Sequence, residues 1–312
     1  MSDSQGGPDQ AALADVGYLS IQQVSELLDV PAPTIRSWER RYGLPQATRT
    51  RAGHRRYSPG HVQALRRMRD AIARGQGAAE AATLARTAEM RAEGAQPLID
   101  ALLTAARNLD PRTINDTLDG GHSKFGLDAT IDDVLMPALR QIGLDWQSGR
   151  CDIAHEHLAS ETIRVWLAKI ARDGPTDRRN KRPIILTCGP QDHHTVGLEA
   201  LSALLRRRGE DCRLLGASVP IESLSAAVTQ VRPAAVVLVS HLSVGRRAAV
   251  EALDAAAAAL RAADLHPARL FYAGNAFLTQ RARRGVTGSY LGGDLSQAAD
   301  LITTTVNGAD EE

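Results

Sequence analysis

The feature that most constrains this chain is residues 182–306, where short apolar runs alternate with segments of helical period. Pro183–Cys188 is apolar and ends in a Gly-Pro turn, so it reads as a buried strand. Thr195–Arg208 has helical periodicity and stops at Gly209. Cys212–Gly216 reads as a second strand, Ile221–Gln230 as a helix, Ala234–Ser240 as a third strand, Ala248–Ala263 as a helix and Leu270–Gly274 as a fourth strand. The third run, Ala-Ala-Val-Val-Leu-Val-Ser, is apolar almost throughout, as in strands covered on both faces. This alternation predicts an α/β doubly wound parallel sheet, and such sheets bind ligands at the carboxyl ends of their strands.

At 312 residues the chain has room for more than that sheet. Polar and turn-forming stretches near Gly94–Pro97 and over Asp173–Arg182 divide it further. The expected organisation is a disordered tail over 1–17, a DNA-binding unit over 18–90, a four-helix bundle over 95–172 and the sheet domain over 182–306. The polar N-terminus has no basic stretch followed by an apolar run, so no signal peptide is expected. No apolar run nears the roughly 18 residues of a membrane span. The three cysteines, 151, 188 and 212, have no metal or redox spacing and fit reduced thiols in a cytoplasmic protein.

Net charge is only +1, but residues 33–69 hold ten arginines against one acid, Glu39. Such a local surplus marks a module that meets phosphate. Ser20 can cap a helix through Val24, Leu27 and Leu28, and Asp29–Pro33 is a turn. A second helix is expected from Thr34 to Tyr42, stopped by Gly43. Two short helices joined this way form a helix-turn-helix whose second helix enters the major groove. Arg36 and Arg40 lie four apart on one face of it, while Ile35, Trp38 and Tyr42 anchor the other. Gly53-His54 between basic flanks predicts a β-hairpin wing that grips phosphate, and Pro59 starts a further helix, with His61–Arg74 in it. The run Thr34-Ile35-Arg36, Trp38–Leu44, Arg49 and Gly53-x-Arg55-Arg56-Tyr57-Ser58 resembles the MerR family of regulators. The resemblance implies a winged helix-turn-helix on double-stranded operator DNA, with contacts from Thr34, Arg36, Ser37, Arg40, Arg41, Arg49, Arg51, His54, Arg55, Arg56 and Tyr57. It also implies a homo-oligomer, dimer or tetramer, acting indirectly on RNA polymerase at the promoter. The ligand cysteines and long dimerisation helix of MerR metal sensors are missing here.

In the loop after the first strand stands Asp192-His193-His194-Thr195-Val196-Gly197. The loop can present an imidazole to a metal beyond the sheet, the carboxylate can take its other ring N–H, and the glycine leaves room at the helix start. With Ser240-x-Leu242 and Gly274 at later strand ends, Asp192-x-His194-x-x-Gly197 resembles the cobalamin-binding domain of methionine synthase and the B12-dependent mutases. The resemblance implies that His194 is the axial ligand of cobalt and that a nucleotide tail lies along Ser240, Leu242 and Gly274. Ala273-Gly274 replaces that family's frequent Gly-Gly. Trp146, followed ten residues later by Glu156-His157, resembles the helical cap of light-sensing CarH and LitR regulators. There these residues face the upper group of adenosylcobalamin. The implied function is a cobalamin-dependent, light-responsive repressor and not an enzyme. A MerR-type regulator sensing cobalamin or another ligand without a light response, and a cobalamin-carrier subunit of an enzyme, are the alternatives. In the resembling regulators a His directly follows the Trp; this chain has Gln147, and His155 or His157 are the candidate substitutes. A zinc site at His155-Glu156-His157 is the competing reading of that segment.

Overall fold

The computed structural model describes residues 18–50, 53–73, 75–172, 182–265 and 269–308. The N-terminal tail, Arg51, Arg74 and the polar stretch 173–181 lie outside the described residues. The chain divides into two compact units, residues 1–89 and 90–312.

In the first unit, α1 (Ile21–Leu28) opens on Ser20, whose hydroxyl accepts the Gln23 N–H while the Gln23 side chain accepts the Ser20 N–H. This reciprocal cap satisfies two donors that a helix start otherwise leaves unpaired. Helix α2 (Ala32–Tyr42) begins two residues before the expected Thr34. Pro33 sits in its first turn, where a missing N–H costs nothing, and Gly43 ends it with φ 65°. Strands β1 (Thr48–Arg49) and β2 (Arg55–Arg56) pair antiparallel as a short wing, followed by α3 (Pro59–Ala73). Val24, Leu28, Ile35, Trp38, Leu44, Tyr57, Leu65 and Met68 form this unit's core.

Helix α4 (Ala78–Arg107) continues through Gly94–Pro97, so no loop marks the boundary expected there, and the two units divide at 89/90 within the helix. Pro97 removes one N–H from the ladder, but Ala95, Ile99 and Leu102 are buried on either side and hold the helix. Helix α5 (Pro111–Ala129), a π-helical turn (Thr130–Leu135), α6 (Met136–Gln147) and α7 (Ile153–Arg172) complete a helical bundle with α4. The chain continues through β3 (Ile184–Cys188), α8 (Val196–Arg207), β4 (Cys212–Gly216), α9 (Ile221–Val231), β5 (Ala235–Val239), α10 (Arg246–Ala262), β6 (Leu270–Ala273), α11 (Gln280–Arg283), β7 (Ser289–Tyr290) and α12 (Leu295–Asn307). The parallel sheet has the order β4-β3-β5-β6-β7. At two residues, β7 is too short for periodicity to announce.

Alternate residues of the central strands enter two cores. Ile184, Leu186, Val237 and Phe271 join a core shared with bundle residues such as Ile131, Ile163 and Trp166. Ile185, Val236, Leu238 and Tyr272 pack on the opposite face with α9 and α10. The sheet is thus buried on both faces, as its apolar strands require. Polar bonds add to the seam between bundle and sheet domain. Asp132, in the π-helical turn, accepts the Leu295 N–H at 2.9 Å and also the Ser296 hydroxyl, capping α12 from 163 residues away. Arg208 bridges Asp128 and Asp300 at 2.8 Å each, and Arg164 of α7 donates to Thr195 Oγ1 at 3.0 Å.

Candidate cofactor site and nucleic-acid interface

The chain leaves β3 for β4 on one side of it, while β5 lies on the other, so the carboxyl ends of β3 and β5 form the topological switch where ligands bind. The Asp192–His194 loop follows β3 and His241 follows β5, and the register Cys188↔Val239 sets them side by side. Asp192 is buried and its carboxylate gathers the loop: Oδ1 accepts from His194 Nδ1 at 2.8 Å and from the His194 N–H at 3.0 Å. Oδ2 accepts the His241 N–H. The Asp192 carbonyl accepts the Ser218 N–H at 2.8 Å, and the Cys188 thiol donates to the His194 carbonyl at 3.6 Å.

Burial alone pushes the Asp192 carboxyl up, but the bonds from the His194 ring, the His241 N–H and the His194 N–H together outweigh it and hold the group well below the usual carboxylate range. The bond to Asp192 raises His194 against its own desolvation, with the charges of Asp192 and Glu156 adding to it. Burial lowers His241, with Asp192 opposing. With Nδ1 engaged by Asp192, Nε2 is the ring nitrogen of His194 left to ligate, and the side chain is 57% exposed. The Ser240 hydroxyl is fully buried at the end of β5 and has no hydrogen-bond partner among the described residues. An exposed imidazole oriented by a carboxylate, beside a buried hydroxyl with no partner among the described residues at the same strand ends, makes a lining that fits cobalamin.

The other small residues divide. Gly274 has φ 103°, and an added Cβ would sit against the Ser240 carbonyl, so the chain itself demands glycine there. Gly197 opens α8 and faces Met136 of the bundle, which an added Cβ would meet at an ordinary 3.9 Å. Leu242 follows β5 and is exposed.

On the bundle side, Asp145 is buried and binds Arg107, Arg150 and Gln141, and its carbonyl accepts the N–H groups of Arg150 and Cys151. That knot, with Gly149 at φ 72°, turns the chain between α6 and α7. Trp146 is the penultimate residue of α6 and is 46% exposed. Glu156, in the first turn of α7, accepts the Ser160 hydroxyl at 2.7 Å and lies near enough to His194 for its charge to be felt there. His157 is exposed, 3.6 Å from Glu156. No hydrogen bond or ring contact joins Trp146 to Glu156 or His157 among the described residues. His155 accepts the Asp152 N–H and lines a small apolar cavity with Leu103, Ala106 and Ile142. The zinc reading of His155-Glu156-His157 is not supported: among the described residues the one cluster with metal-ligand spacing is Asp192, His194 and His241. His241 escaped the sequence reading; the adjacency of β3 and β5 is the signal that could have found it.

In the first unit Arg36, Arg40, Arg41, Arg49 and His54 are exposed, while Thr34, Ser37, Arg55 and Arg56 are half-buried. Glu39, the lone acid of the segment, binds Arg55 Nε at 2.6 Å and ties the wing to α2. Tyr57 is corrected: it is fully buried in the core and bridges Leu19, so it supports the wing from within and cannot touch DNA.

Residues 19–88 match the family described as MerR HTH family regulatory protein, and residues 98–170 and 182–287 each match a B12 binding domain. The chain is 33% identical over 227 residues to the HTH-type transcriptional repressor CarH of Myxococcus xanthus, covering 68% of this chain and 75% of that protein. It is 32% identical over 223 residues to the HTH-type transcriptional repressor CarA of the same organism, covering 70% and 75%. Among solved structures, the monomethylamine corrinoid protein of Methanosarcina barkeri is similar with a TM-score of 0.51 and 13% identity, over 67% of this chain and 99% of that one. That likeness speaks for the fold alone.

Proposed function

The chain belongs to the family of MerR-type, B12-binding transcriptional repressors that includes CarH and CarA, and from that premise we propose that it represses transcription under the control of adenosylcobalamin and light. The observation that carries the reading is the Asp192–His194 pair at the sheet's switch point, in one chain with an arginine-faced helix-turn-helix. His194 would hold the cofactor through Nε2, and Asp192 fixes its tautomer and orientation. Ser240, Leu242, Gly197 and the strand end at Gly274 border the tail. Trp146, Glu156 and His157 would line the cofactor from the bundle side. Adenosylcobalamin supplies a carbon–cobalt bond that light can break.

In the dark the bundle residues enclose the upper group, and the chain assembles as a dimer or tetramer on operator DNA. Arg36 and Arg40 read the major groove, and Arg41, Arg49 and the wing contact phosphates. Linking several weak DNA-binding units multiplies their affinity. Loss of the upper group in light would leave Trp146, Glu156 and His157 unfilled, and the oligomer and its hold on the operator would weaken, an equilibrium biased by ligand state. No reaction is catalysed on a substrate, and the protein acts in the cytoplasm. The test is gel filtration and operator binding of the adenosylcobalamin-loaded chain before and after green illumination. A smaller species with weakened DNA binding is expected after light; an unchanged elution volume and affinity would remove the light switch. Protein that stays colourless after loading and desalting would remove cobalamin.

A further inference from the structure

We propose that the cofactor-free protein holds a divalent transition cation, of the Zn2+ class, between Asp192, His194 and His241. One ligand atom from each residue lies within 4.8 Å of the others. Two imidazoles and one carboxylate form a donor set that suits first-row divalent ions, with zinc and nickel among them. The sheet presents these donors at one place. Asp192 is buried and anchored through its carbonyl and both carboxylate oxygens. His241 Nδ1 is buried, has no hydrogen-bond partner among the described residues, and lies 3.9 Å from Asp192 Oδ2. The His194 and His241 rings stand 5.2 Å apart, tilted by 44°.

Zinc bonds of about 2 Å put tetrahedral donors roughly 3.4 Å from one another. The cation replaces the 2.8 Å hydrogen bond between His194 Nδ1 and Asp192 Oδ1, and rotation of the half-exposed His194 ring and of His241 closes a remaining gap of at most about 1.4 Å. The fourth position opens to solvent on the His194 side, where water completes the shell. His241 has no side-chain role in the proposed function, so the cation gives a reason for a buried, unpartnered imidazole nitrogen beside an ionised carboxylate. A cation here occupies the imidazole assigned above to cobalt, so the two bound forms exclude each other. That exclusion rests on the cobalamin reading; the cation site does not.

The experiment uses the full chain, stripped with chelator, and titrates ZnCl2 against a chromophoric zinc indicator. One equivalent of Zn2+ per chain is expected. His241→Ala, which keeps the backbone N–H to Asp192, should weaken it by about tenfold or more. His193→Ala, at an exposed neighbour outside the cluster, should change it less than about twofold. His241→Gln, closer in size, repeats the measurement if the alanine variant fails to fold by circular dichroism. Absence of the equivalent in the wild type, or equal affinity in the His241 variants, overturns the site. Hydroxocobalamin uptake, followed by absorbance on the same protein with and without zinc, reads the other claim separately. Cobalamin uptake without any zinc uptake sinks the cation site alone, and zinc uptake without cobalamin uptake sinks the proposed function alone.

Discussion

On the sheet side of the site, one buried carboxylate collects three hydrogen bonds from two loops and fixes His194 before any ligand arrives. On the bundle side, Trp146 and His157 stand exposed, and Glu156 is held only by Ser160 and a nearby histidine. The sheet half is preorganised and the bundle half is open. A preorganised half lowers the ordering cost of binding, so it should carry most of the affinity. An open half gains order only when something fills it, which is what a switch needs. The largest expected effect therefore lies in the sheet. Gly274→Ala forces a Cβ against the Ser240 carbonyl at a φ that L residues rarely adopt. Strain and overpacking together should cost roughly 4 kcal/mol. Thermal denaturation should show a midpoint lower by ten degrees or so. A variant as stable as the wild type would show that the strand end is softer than its geometry implies.

The next effect lies where the two halves meet. Burial, and then the charge of Asp294, raise the Asp132 carboxyl to about 7. In the fold it keeps its proton up to about that pH, while the unfolded chain gives it up near 3.8. The unfolded state binds fewer protons in between, so stability falls as pH rises from about 4 to 7 and levels off above. The full shift corresponds to at most about 4 kcal/mol. Asp132→Asn keeps an acceptor for the Leu295 N–H and removes the titration. Melting temperatures of wild type and variant should converge near pH 4 and separate towards pH 7, with the variant higher. Parallel curves would place the pH dependence elsewhere.

Breaking the carboxylate on the sheet side tests preorganisation directly. Asp192→Asn leaves His194 in place without the charge that fixes its tautomer, and hydroxocobalamin affinity should fall by about 10–100-fold. This pair was legible in the sequence because its members are two residues apart in a loop that follows a strand. His241 was not, because 49 residues separate it from Asp192 and only the β3–β5 adjacency joins them. The Asp132 cap on α12 was hidden for the same reason, at 163 residues. Doubly buried strands, caps such as Ser20 and the Gly43 stop are local and were readable. Tyr57 misled because its neighbours in sequence are arginines, whereas its neighbours in space are Leu19 and the core. At Gly274 the backbone of Ser240 requires a glycine whether or not a ligand lies beside it, a demand that only the β5–β6 adjacency reveals.

The smallest effect should come from the bundle. Trp146 is half-exposed and its indole makes no hydrogen bond among the described residues, so Trp146→Ala should leave the fold and hydroxocobalamin affinity within about threefold of wild type. Adenosylcobalamin carries a large upper group, and losing an aromatic wall against it should cost about 1–1.5 kcal/mol, or roughly tenfold. The ratio of the two affinities in one variant therefore separates the halves. If hydroxocobalamin binding falls as far in Trp146→Ala as in Asp192→Asn, both halves hold the corrin equally and the contrast drawn from geometry is wrong. If only adenosylcobalamin binding falls, the sheet supplies grip and the bundle reads what sits on the upper face, which is the division of labour a light-released group requires.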